Sequence, residues 1–322
     1  MTSSDYIALL YQSLLGRAAD PDGLAHHTAE LERTGDLRHI VDIFLASDEY
    51  IRRTEPPPLP RRHEIGRPLT IVDVGAQTLA DEDHIYAPLI RSGLDWRCIG
   101  FEPLDARREA RLAGEADPRL ILHDAFIGDG GRHRFHIVND DGSSSLLPLN
   151  APFNRDFEHI ESLRIVATED VQTRTLDDML AAEDEIDFLK FDIQGFESRA
   201  LQAAKAVLAR TNVVHCECFF APMYQEQGYF ADIDRLLRAA GFDFVDFSHL
   251  ARYRYVAVPR PSRTGERLIW ADAVYFRRLD PARDAASSFH AQAAIADLVY
   301  RKPGLAQAVL QPLEAETGAA PR

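Results

Sequence analysis

Apolar residues recur at two different spacings along the chain, and the change of spacing divides it into regions. Over residues 1–54 they fall at helical intervals, as in Tyr6, Leu9, Leu10 and Leu14, which predicts a small all-α module. From residue 69 to residue 279, short apolar runs alternate with amphipathic stretches, which predicts strands that alternate with helices.

Two further segments flank the predicted α/β domain. Residues 55–68 contain the run Pro56-Pro57-Pro58-Leu59-Pro60, which cannot continue a helix and predicts an extended, semi-rigid linker. Residues 280–322 contain Ala-rich stretches that predict a helical extension and a tail without structure. We expect this extension to act as a packing or dimerisation arm, and a homodimer is therefore our expectation for the assembly.

The order of elements predicts a doubly wound, Rossmann-like sheet, in which ligands bind at the carboxyl ends of the strands. A closing antiparallel pair follows the core strands. The predicted strands are 69–76, 96–103, 120–126, 132–138, 165–171, 186–193, 213–219, 241–247 and 270–276, and the predicted helices include 83–92, 105–115, 176–182, 197–208 and 230–240.

The strand over residues 186–193 is the centre of the predicted domain. Lys190 and Asp192 interrupt its apolar run with the two-residue spacing that puts both on one face. Burial of either charge alone would be costly, so we expect them to neutralise each other or a ligand. A Lys–Asp pair that only fixes strand register is the alternative. Gln194 and Glu197 follow at the strand end, around a turn at Gly195.

Composition narrows the classes of partner. The 36 basic and 51 acidic residues give a net charge of −15, which disfavours nucleic acid and anionic membranes. No apolar run is long enough to span a bilayer, and the first residues do not form a signal-peptide pattern. The three cysteines do not imply a disulfide framework, so the cytoplasm is the expected location.

The ends of the first three strands form a candidate nucleoside site. Gly75 lets the backbone approach a ligand, with Ala76 and Gln77 beside it, and Glu102 after the second strand can accept both ribose hydroxyls. No G-x-G-x-x-G motif follows, which favours a ligand without phosphates such as S-adenosylmethionine. Asp73 is a candidate for its cationic amino end. For the adenine, the candidates are Asp124 and Ala125.

Several motifs together resemble the FkbM family of S-adenosylmethionine-dependent O-methyltransferases. They are VDVGA, CIGFEP, the SSSL loop, TLDDML, IDFLKFDIQGFE and HCECFFAPMYQEQGYFADIDRLLRAAGF, between Leu69 and Arg278. The resemblance implies a class I methyltransferase fold, with a seven-stranded sheet whose last strand is antiparallel. It also implies methylation of a hydroxyl group. The family usually has an Asn and a second Gly where this chain has Ala76-Gln77-Thr78-Leu79-Ala80-Asp81.

The N-terminal pattern LLYQSLLGRAADPDGLAHHTAEL…FLASDEY resembles a second family, a small helical domain related to phycobilisome-linker repeats. In bacteria that domain often accompanies enzymes of cell-surface polysaccharides. The resemblance therefore implies a sugar or glycan acceptor. An acceptor of polyketide or peptide type is an alternative, and so is a degenerate methyltransferase domain that acts as a binding scaffold.

Candidate catalytic residues follow from the need for a base near the acceptor hydroxyl. Asp192, which also borders the predicted cofactor site, is the first candidate, and Lys190 tunes its charge. His215 is a base or, equally, a core histidine. We expect Gln194, Glu197, Glu217, Tyr224 and Ser144 to bind the acceptor. The carboxylates of this set can also hold a divalent cation, but no metal site is favoured.

Overall fold

A computed structural model describes residues 2–45, 47, 49–50, 65–77, 83–115, 117–258 and 265–317. The chain forms two compact units, residues 1–62 and residues 63–322. Most of the predicted linker, residues 55–64, lies outside the described residues, so the linker's conformation stays a prediction.

The first unit is helical, as predicted. Helix α1 (Ser3–Leu10) continues into a π-helical turn (Tyr11–Leu15), and α2 (Pro21–Thr34) and α3 (Leu37–Leu45) follow. The side chain of Thr2 caps α1 and that of Asp20 caps α2, which satisfies backbone donors at both helix starts. The core consists of Ile7, Tyr11, Leu15, Ile40 and Phe44.

The second unit is built on a seven-stranded sheet. Its strands are β1 (Leu69–Val74), β2 (Trp96–Phe101), β3 (Leu120–His123), β6 (Ile186–Phe191), β7 (Thr211–Phe219), β8 (Phe242–Tyr253) and β9 (Arg267–Arg277). They lie in the order β3-β2-β1-β6-β7-β9-β8. Strand β9 is antiparallel to both of its neighbours, while β1, β2, β3, β6 and β7 are parallel. This is the predicted class I methyltransferase-like fold.

A second, two-stranded antiparallel sheet pairs β4 (Arg132–Val138) with β5 (Ile165–Gln172). Short helices and turns connect the strands of both sheets. The helices are α4 (Ala87–Arg91), α5 (Asp105–Gly114), α6 (Ala151–Asn154), α7 (Leu176–Met179), α8 (Glu197–Gln202), α9 (Lys205–Ala209), α10 (Phe230–Ala239), α11 (Ala286–Leu298) and α12 (Pro303–Thr317). None of the helices described is long and apolar enough to cross a membrane.

The structure differs from the predicted elements in two places that matter for packing. The predicted helix 197–208 divides into α8 and α9, because the carboxylate of Asp177 accepts hydrogen bonds from the backbone N–H groups of Ala206 and Val207 and starts a new helix there. The predicted strand 241–247 continues to Tyr253, because it pairs with β9 along that whole length.

The C-terminal extension belongs to the second unit. Helix α11 packs against β6, β7 and α4, and its face of Phe289, Ala293, Ala296 and neighbouring residues is buried. Packing is therefore confirmed for this extension, while dimerisation stays a prediction. The consequence is that the residues after α11 come close to the middle of the sheet.

Candidate active site

A cavity of about 1090 Å³ opens at the carboxyl ends of the parallel strands. Residues of β1, β2, β4, β6, β7, β8 and β9 line it, so it extends across most of the large sheet. Its lining includes ten residues that the sequence indicates: Gly75, Gln77, Glu102, Ala125, Ser144, Lys190, Asp192, Gln194, His215 and Glu217.

The β1–β2 side of the cavity contains the predicted nucleoside site. Glu102 follows β2 and is only 3% exposed, and its Oε1 accepts a hydrogen bond from the backbone N–H of Leu104 at 2.9 Å. Burial raises the pKa of Glu102, against the effect of that hydrogen bond. Ala125 and Phe126 line the same side. An acidic acceptor and an apolar surface thus lie together, as binding of a nucleoside requires.

Asp73 is fully buried and does not line the cavity as the described residues form it. The predicted contact with a cationic ligand is therefore wrong. Its carboxylate instead accepts hydrogen bonds from Arg111 at 2.9 Å and Tyr86 at 2.7 Å, and lies 3.3 Å from Lys190 Nζ. Burial acts to raise the pKa of Asp73, but the charges of Lys190 and Arg111 outweigh it, and the pKa is lowered. The cluster fixes the end of β1.

Two other predicted cofactor residues also lie away from the cavity. The Ala76 side chain is buried, and its carbonyl accepts a hydrogen bond from Arg111. The carboxylate of Asp124 is 66% exposed and lies 3.5 Å from Arg108, because β3 ends one residue before it and turns it outward. The residues 78–81 in which this chain departs from the family pattern lie outside the described residues.

The structure explains the glycine at position 75 differently from the prediction. It adopts φ +79°, and a Cβ at this position would lie 2.0 Å from the backbone oxygen of Asp192. The residue is therefore required by the close approach of β1 to the end of β6, and not only by a ligand.

Lys190 connects these two strand ends. Its Nζ donates to the carbonyl oxygen of Gly75 at 3.1 Å and lies 3.6 Å from Asp192 Oδ2. Burial acts to lower the pKa of Lys190, but Asp73 and Asp192 reverse the effect, and the pKa is raised. Lys190 is therefore a fixed cation shared by Asp73 and Asp192, and the predicted Lys190–Asp192 pair is one half of this arrangement.

A strained turn after β6 presents Gln194 to the cavity. Gln194 adopts φ +59°, which is unusual for a residue with a side chain. Its Nε2 donates to Asp192 at 2.8 Å and to Glu217 at 3.0 Å, and its Oε1 accepts from the hydroxyl of Tyr224 at 2.8 Å. Tyr224 is thus buried behind Gln194 and does not line the cavity, contrary to its predicted contact with the acceptor.

Glu197 is also buried behind the cavity wall. Its carboxylate accepts hydrogen bonds from the backbone N–H groups of Ile193 and Gly195 at 2.8–3.1 Å, so its predicted contact with the acceptor is wrong. Burial raises the pKa of Glu197 to about 8. Burial likewise raises the pKa of Glu217 well above its ordinary value, and the charge of Asp192 adds to the shift.

Oxygens of Asp192, Glu197 and Glu217 lie within 4.8 Å of one another. The Gln194 amide bridges two of these carboxylates, and backbone N–H groups satisfy the third. The cluster is thus held together by hydrogen bonds within the protein. None of these contacts requires a cation, and a cation stays the less favoured alternative.

The β7–β9 side of the cavity contains the predicted residues His215 and Glu217 together with residues that the sequence did not indicate. His215 and Glu217 share one face of β7, and Asp272 on β9 lies opposite Glu217 in the strand pairing. Trp270, His249 and Tyr253 form an aromatic wall beside them: the Trp270 and His249 rings are 5.0 Å apart, and Trp270 Nε1 donates to the Tyr253 hydroxyl at 3.0 Å. The sequence predicts the closing antiparallel pair that became β8 and β9, but not the pairing of β9 with β7 that brings Asp272 opposite Glu217.

Arg111 and Tyr86, which hold Asp73, were also missed. Arg111 lies on α5 and is fully buried, although nothing in a polar helix sequence separates it from its half-buried neighbours Arg107 and Arg108. Tyr300 was missed as well. Its hydroxyl lies 3.1 Å from His215 Nδ1, a contact between positions 85 residues apart that no local pattern indicates.

The model of the methyltransferase FkbM domain matches residues 73–244, which is more than half of the chain. The chain belongs to the FkbM methyltransferase family. A domain of unknown function, DUF4214, matches residues 1–54, so the helical module has a family of its own. The FkbM match ends in β8, and the aromatic wall residues His249, Tyr253 and Trp270 lie beyond it.

Solved methyltransferases resemble the fold at low identity. An FkbM methyltransferase from Methylobacillus flagellatus KT is 18% identical, with a TM-score of 0.36 over 84% of this chain and 60% of that one. The chain thus spans under two thirds of that relative's length. The N-terminal domain of EvdMO1, solved with S-adenosylhomocysteine, is 12% identical, with a TM-score of 0.33 over 65% and 75% of the two chains. An Anabaena variabilis ATCC 29413 methyltransferase is 10% identical, with a TM-score of 0.34 over 86% and 96%. No curated protein matches the chain.

The residues of this FkbM methyltransferase fit the methyl donor that its family name implies. The β1–β2 side offers a buried carboxyl group at Glu102, a glycine turn at Gly75 and an apolar surface at Ala125 and Phe126. The carboxylate of Asp192, 36% exposed, offers a partner for an ammonium group. This donor set suits a cationic, phosphate-free nucleoside.

Proposed function

We propose that the protein is an S-adenosylmethionine-dependent O-methyltransferase that acts on a hydroxyl group of a sugar or glycan. The single observation that carries the proposal is the division of one cavity into two sides of different chemistry. The β1–β2 side suits a nucleoside, and the β7–β9 side combines carboxyl groups with an aromatic wall.

On the β1–β2 side, Glu102 would hold the ribose hydroxyls and Ala125 and Phe126 the adenine ring. Gly75 and Gln77 would line the remainder of the cofactor, and Asp192 would meet its amino group. When bound, S-adenosylmethionine supplies an electrophilic methyl group on a sulfonium, and breaking that bond leaves a neutral thioether. Asp192 is kept in place for this role by Lys190 and by Gln194 Nε2.

The β7–β9 side supports a carbohydrate acceptor. The apolar C–H face of a pyranose can pack on an aromatic ring such as Trp270, while its hydroxyl groups meet polar side chains. Glu217, Asp272 and Ser144 supply such groups around the same space. Gln194 borders both sides and can orient the acceptor against the methyl group, so that positioning contributes much of the rate.

The chain's own residues must also remove the hydroxyl proton. Of the candidates for the base that the sequence indicates, Asp192 and His215 both line the cavity. Glu217 is a weaker candidate, because burial raises its pKa and so favours the protonated form, which cannot take a proton. The cysteines Cys98, Cys216 and Cys218 are all free and buried, in keeping with the cytoplasm as the proposed location.

The direct test is methyl transfer from tritium-labelled S-adenosylmethionine to a panel of acceptors. The panel contains methyl glycosides of common pyranoses, hydroxylated polyketides and Ser- or Tyr-containing peptides. Transfer to a glycoside that is lost in Asp192→Asn supports the proposal. Transfer only to a polyketide or peptide would overturn the acceptor class, and failure to bind S-adenosylhomocysteine would overturn the enzyme assignment in favour of a scaffold.

A further inference from the structure

His215 contacts two different partners through its two ring nitrogens. Nδ1 lies 3.1 Å from the hydroxyl of Tyr300, and Nε2 lies 3.7 Å from Asp272 Oδ2. The imidazole is 4% exposed and lies on the cavity wall, between Lys190 on β6 and Val274 on β9 in the strand pairing. Both partners come from beyond residue 244, where the family match ends.

The hydrogen-bonding capacities of Asp272 and Tyr300 decide which ring nitrogen of His215 carries the proton. An ionised carboxylate can only accept a hydrogen bond, whereas a tyrosine hydroxyl can donate or accept. The arrangement that satisfies all groups has the hydrogen on Nε2, facing Asp272, and the Tyr300 hydroxyl donating to Nδ1. In this tautomer the nitrogen that faces the cavity is a donor, so it has no lone pair with which to take a proton.

Tyr300 is firmly held in this position. It follows α11, where Arg301 adopts φ +52° and the N–H of Lys302 donates to the carbonyl of Ala296 at 2.8 Å, closing the helix end. The Tyr300 ring lies nearly parallel to His215, with centroids 6.2 Å apart and an interplanar angle of 13°. The ring also approaches those of Phe188 and Phe276. The C-terminal extension thus contributes to the active site from behind the sheet.

Asp272 is placed to be the group that receives the proton. Its side chain is 25% exposed and lines the cavity. Burial acts to raise the pKa of Asp272, but contact with His215 and the charge of Lys190 outweigh it, and the pKa is lowered. It therefore stays ionised at neutral pH. The 3.7 Å between His215 Nε2 and Asp272 Oδ2 is too long for a direct hydrogen bond. One hydroxyl oxygen can contact both atoms at once.

We propose that Tyr300, His215 and Asp272 form a hydroxyl-binding relay, in which Asp272 and not His215 is the general base. This inference rests on the proposed function. The acceptor hydroxyl accepts a hydrogen bond from His215 Nε2 and donates its own to Asp272 Oδ2. As the new O–CH₃ bond forms, the bond between the methyl group and the donor's sulfur breaks, and its electron pair stays on sulfur as a neutral thioether. The O–H electron pair stays on oxygen, and the proton moves to Asp272, which later releases it to water. Tyr300 is a positioning residue that fixes the imidazole tautomer.

The first experiment measures the tautomer without any acceptor. The ¹⁵N resonances of His215 are recorded by NMR in the full-length protein at about pH 9, where histidines are ordinarily neutral. The proposal expects a protonated Nε2 and an unprotonated Nδ1. A protonated Nδ1 in the wild-type protein would overturn it. In Tyr300→Phe, the Nδ1 resonance should move toward that of a free imidazole nitrogen.

Tyr275→Phe is the matched control for Tyr300→Phe. Tyr275 is a buried tyrosine on β9 whose hydroxyl donates to Asp234 at 3.2 Å, away from His215. This variant should leave both His215 resonances unchanged. Equal spectra for Tyr300→Phe and wild type would contradict the role of Tyr300. The wild-type spectrum alone tests the tautomer if Tyr300→Phe does not fold.

The second experiment separates the donor from the base, using the glycoside that the acceptor panel identifies. Gln at position 215 keeps an N–H donor near the place of Nε2 but cannot act as a base. His215→Gln should therefore lower kcat by about tenfold or less, whereas Asp272→Asn should lower it by at least about 100-fold, as loss of a general base does. The reverse order would overturn the assignment of Asp272. The NMR result stands even if no acceptor is methylated, so failure of this inference and of the proposed function can be told apart.

Discussion

The two sides of the cavity are built in opposite ways. On the β1–β2 side, the polar groups behind the wall are paired within the protein: Asp73 contacts Arg111, Tyr86 and Lys190, and Gly75 packs against the backbone of Asp192. On the β7–β9 side, partly exposed side chains face the cavity from two long strands, as Trp270, Asp272 and His249 do.

This difference predicts which side of the cavity tolerates amino-acid substitution. Buried ion pairs and a glycine turn fix the β1–β2 side within narrow limits, because loss of one partner leaves a charge or a clash in the core. The aromatic wall rests on ring contacts and one Trp270–Tyr253 hydrogen bond, so its side chains can vary without loss of the fold. We infer that the fold preserves the cofactor side and leaves the acceptor side free to specialise.

The largest effect is expected for Gly75→Ala. The substitution places a Cβ 2.0 Å from the Asp192 oxygen at a positive φ, so strain and overpacking together should lower the free energy of unfolding by about 4 kcal/mol. Gly93→Ala is the matched control, since Gly93 has φ +83° but no neighbour within 4 Å. Its loss should be about 1 kcal/mol. Urea unfolding measures both, and equal losses would contradict the close-approach explanation.

The second-largest effect is expected when the cation that pairs with the buried Asp73 is removed. Arg111→Met leaves Asp73 buried with one cation fewer, and we expect it to cost about 3 kcal/mol of unfolding free energy. Asp73→Asn in the Arg111→Met background should recover part of that loss, because the uncompensated charge is gone. If Arg111→Met is no less stable than wild type in urea, the cluster does not fix β1.

The raised pKa values give a smaller effect that depends on pH. Glu197 and Glu217 hold their protons in the folded protein above pH 5, where an unfolded glutamate has lost its proton. The folded state therefore binds more protons, and the free energy of unfolding should fall as pH rises from about 5 to about 8. Urea unfolding of Glu217→Gln should show a shallower slope, while exposed Glu226→Gln should keep the wild-type slope. A steeper slope in Glu217→Gln would contradict the sign.

The smallest effect on the fold is expected on the acceptor side. Trp270→Leu removes an aromatic ring from the wall and should cost about 1 kcal/mol of stability. It should raise KM for the glycoside acceptor several-fold and leave KM for S-adenosylmethionine unchanged. Trp96→Leu is the control, because Trp96 stacks on Arg119 and does not line the cavity. A change confined to the cofactor KM in Trp270→Leu would reverse the assignment of the two sides.

The sequence predicted the parts of this molecule whose signals are local. Alternating strands and helices indicated the sheet. Of the residues predicted near strand ends, the cavity lining contains Gly75, Glu102, Lys190 and Asp192. Asp73 was placed correctly along the chain and wrongly in space, since the cations that pair with it, Arg111 and Lys190, come from distant segments. Glu197 was misplaced for a local reason, because its carboxylate folds back onto N–H groups of its own turn. The position of a residue along a strand predicts where its side chain lies in the sheet, but not which residues that side chain contacts.

The sequence predicted His215, Glu217 and Ser144 on the acceptor side, but the other residues there come from distant segments and could not be predicted. Asp272, Trp270 and Tyr300 reach the site through antiparallel pairing and through packing of the C-terminal extension, which bring together positions separated by dozens of residues. The sequence therefore left two roles for His215, a catalytic base and a core histidine. Its role depends on Tyr300 and Asp272, and neither residue carries a local signal.

Calorimetric titration with S-adenosylhomocysteine tests the division of the cavity most directly. The account predicts saturable binding to the wild-type protein, and a loss of about 10- to 100-fold in affinity for Glu102→Gln, because a ligand hydroxyl loses a charged acceptor. Asp124→Asn should bind as the wild type does, since that side chain lies outside the cavity. No binding to the wild type, or equal binding to Glu102→Gln, would contradict the assignment of the β1–β2 side to the cofactor.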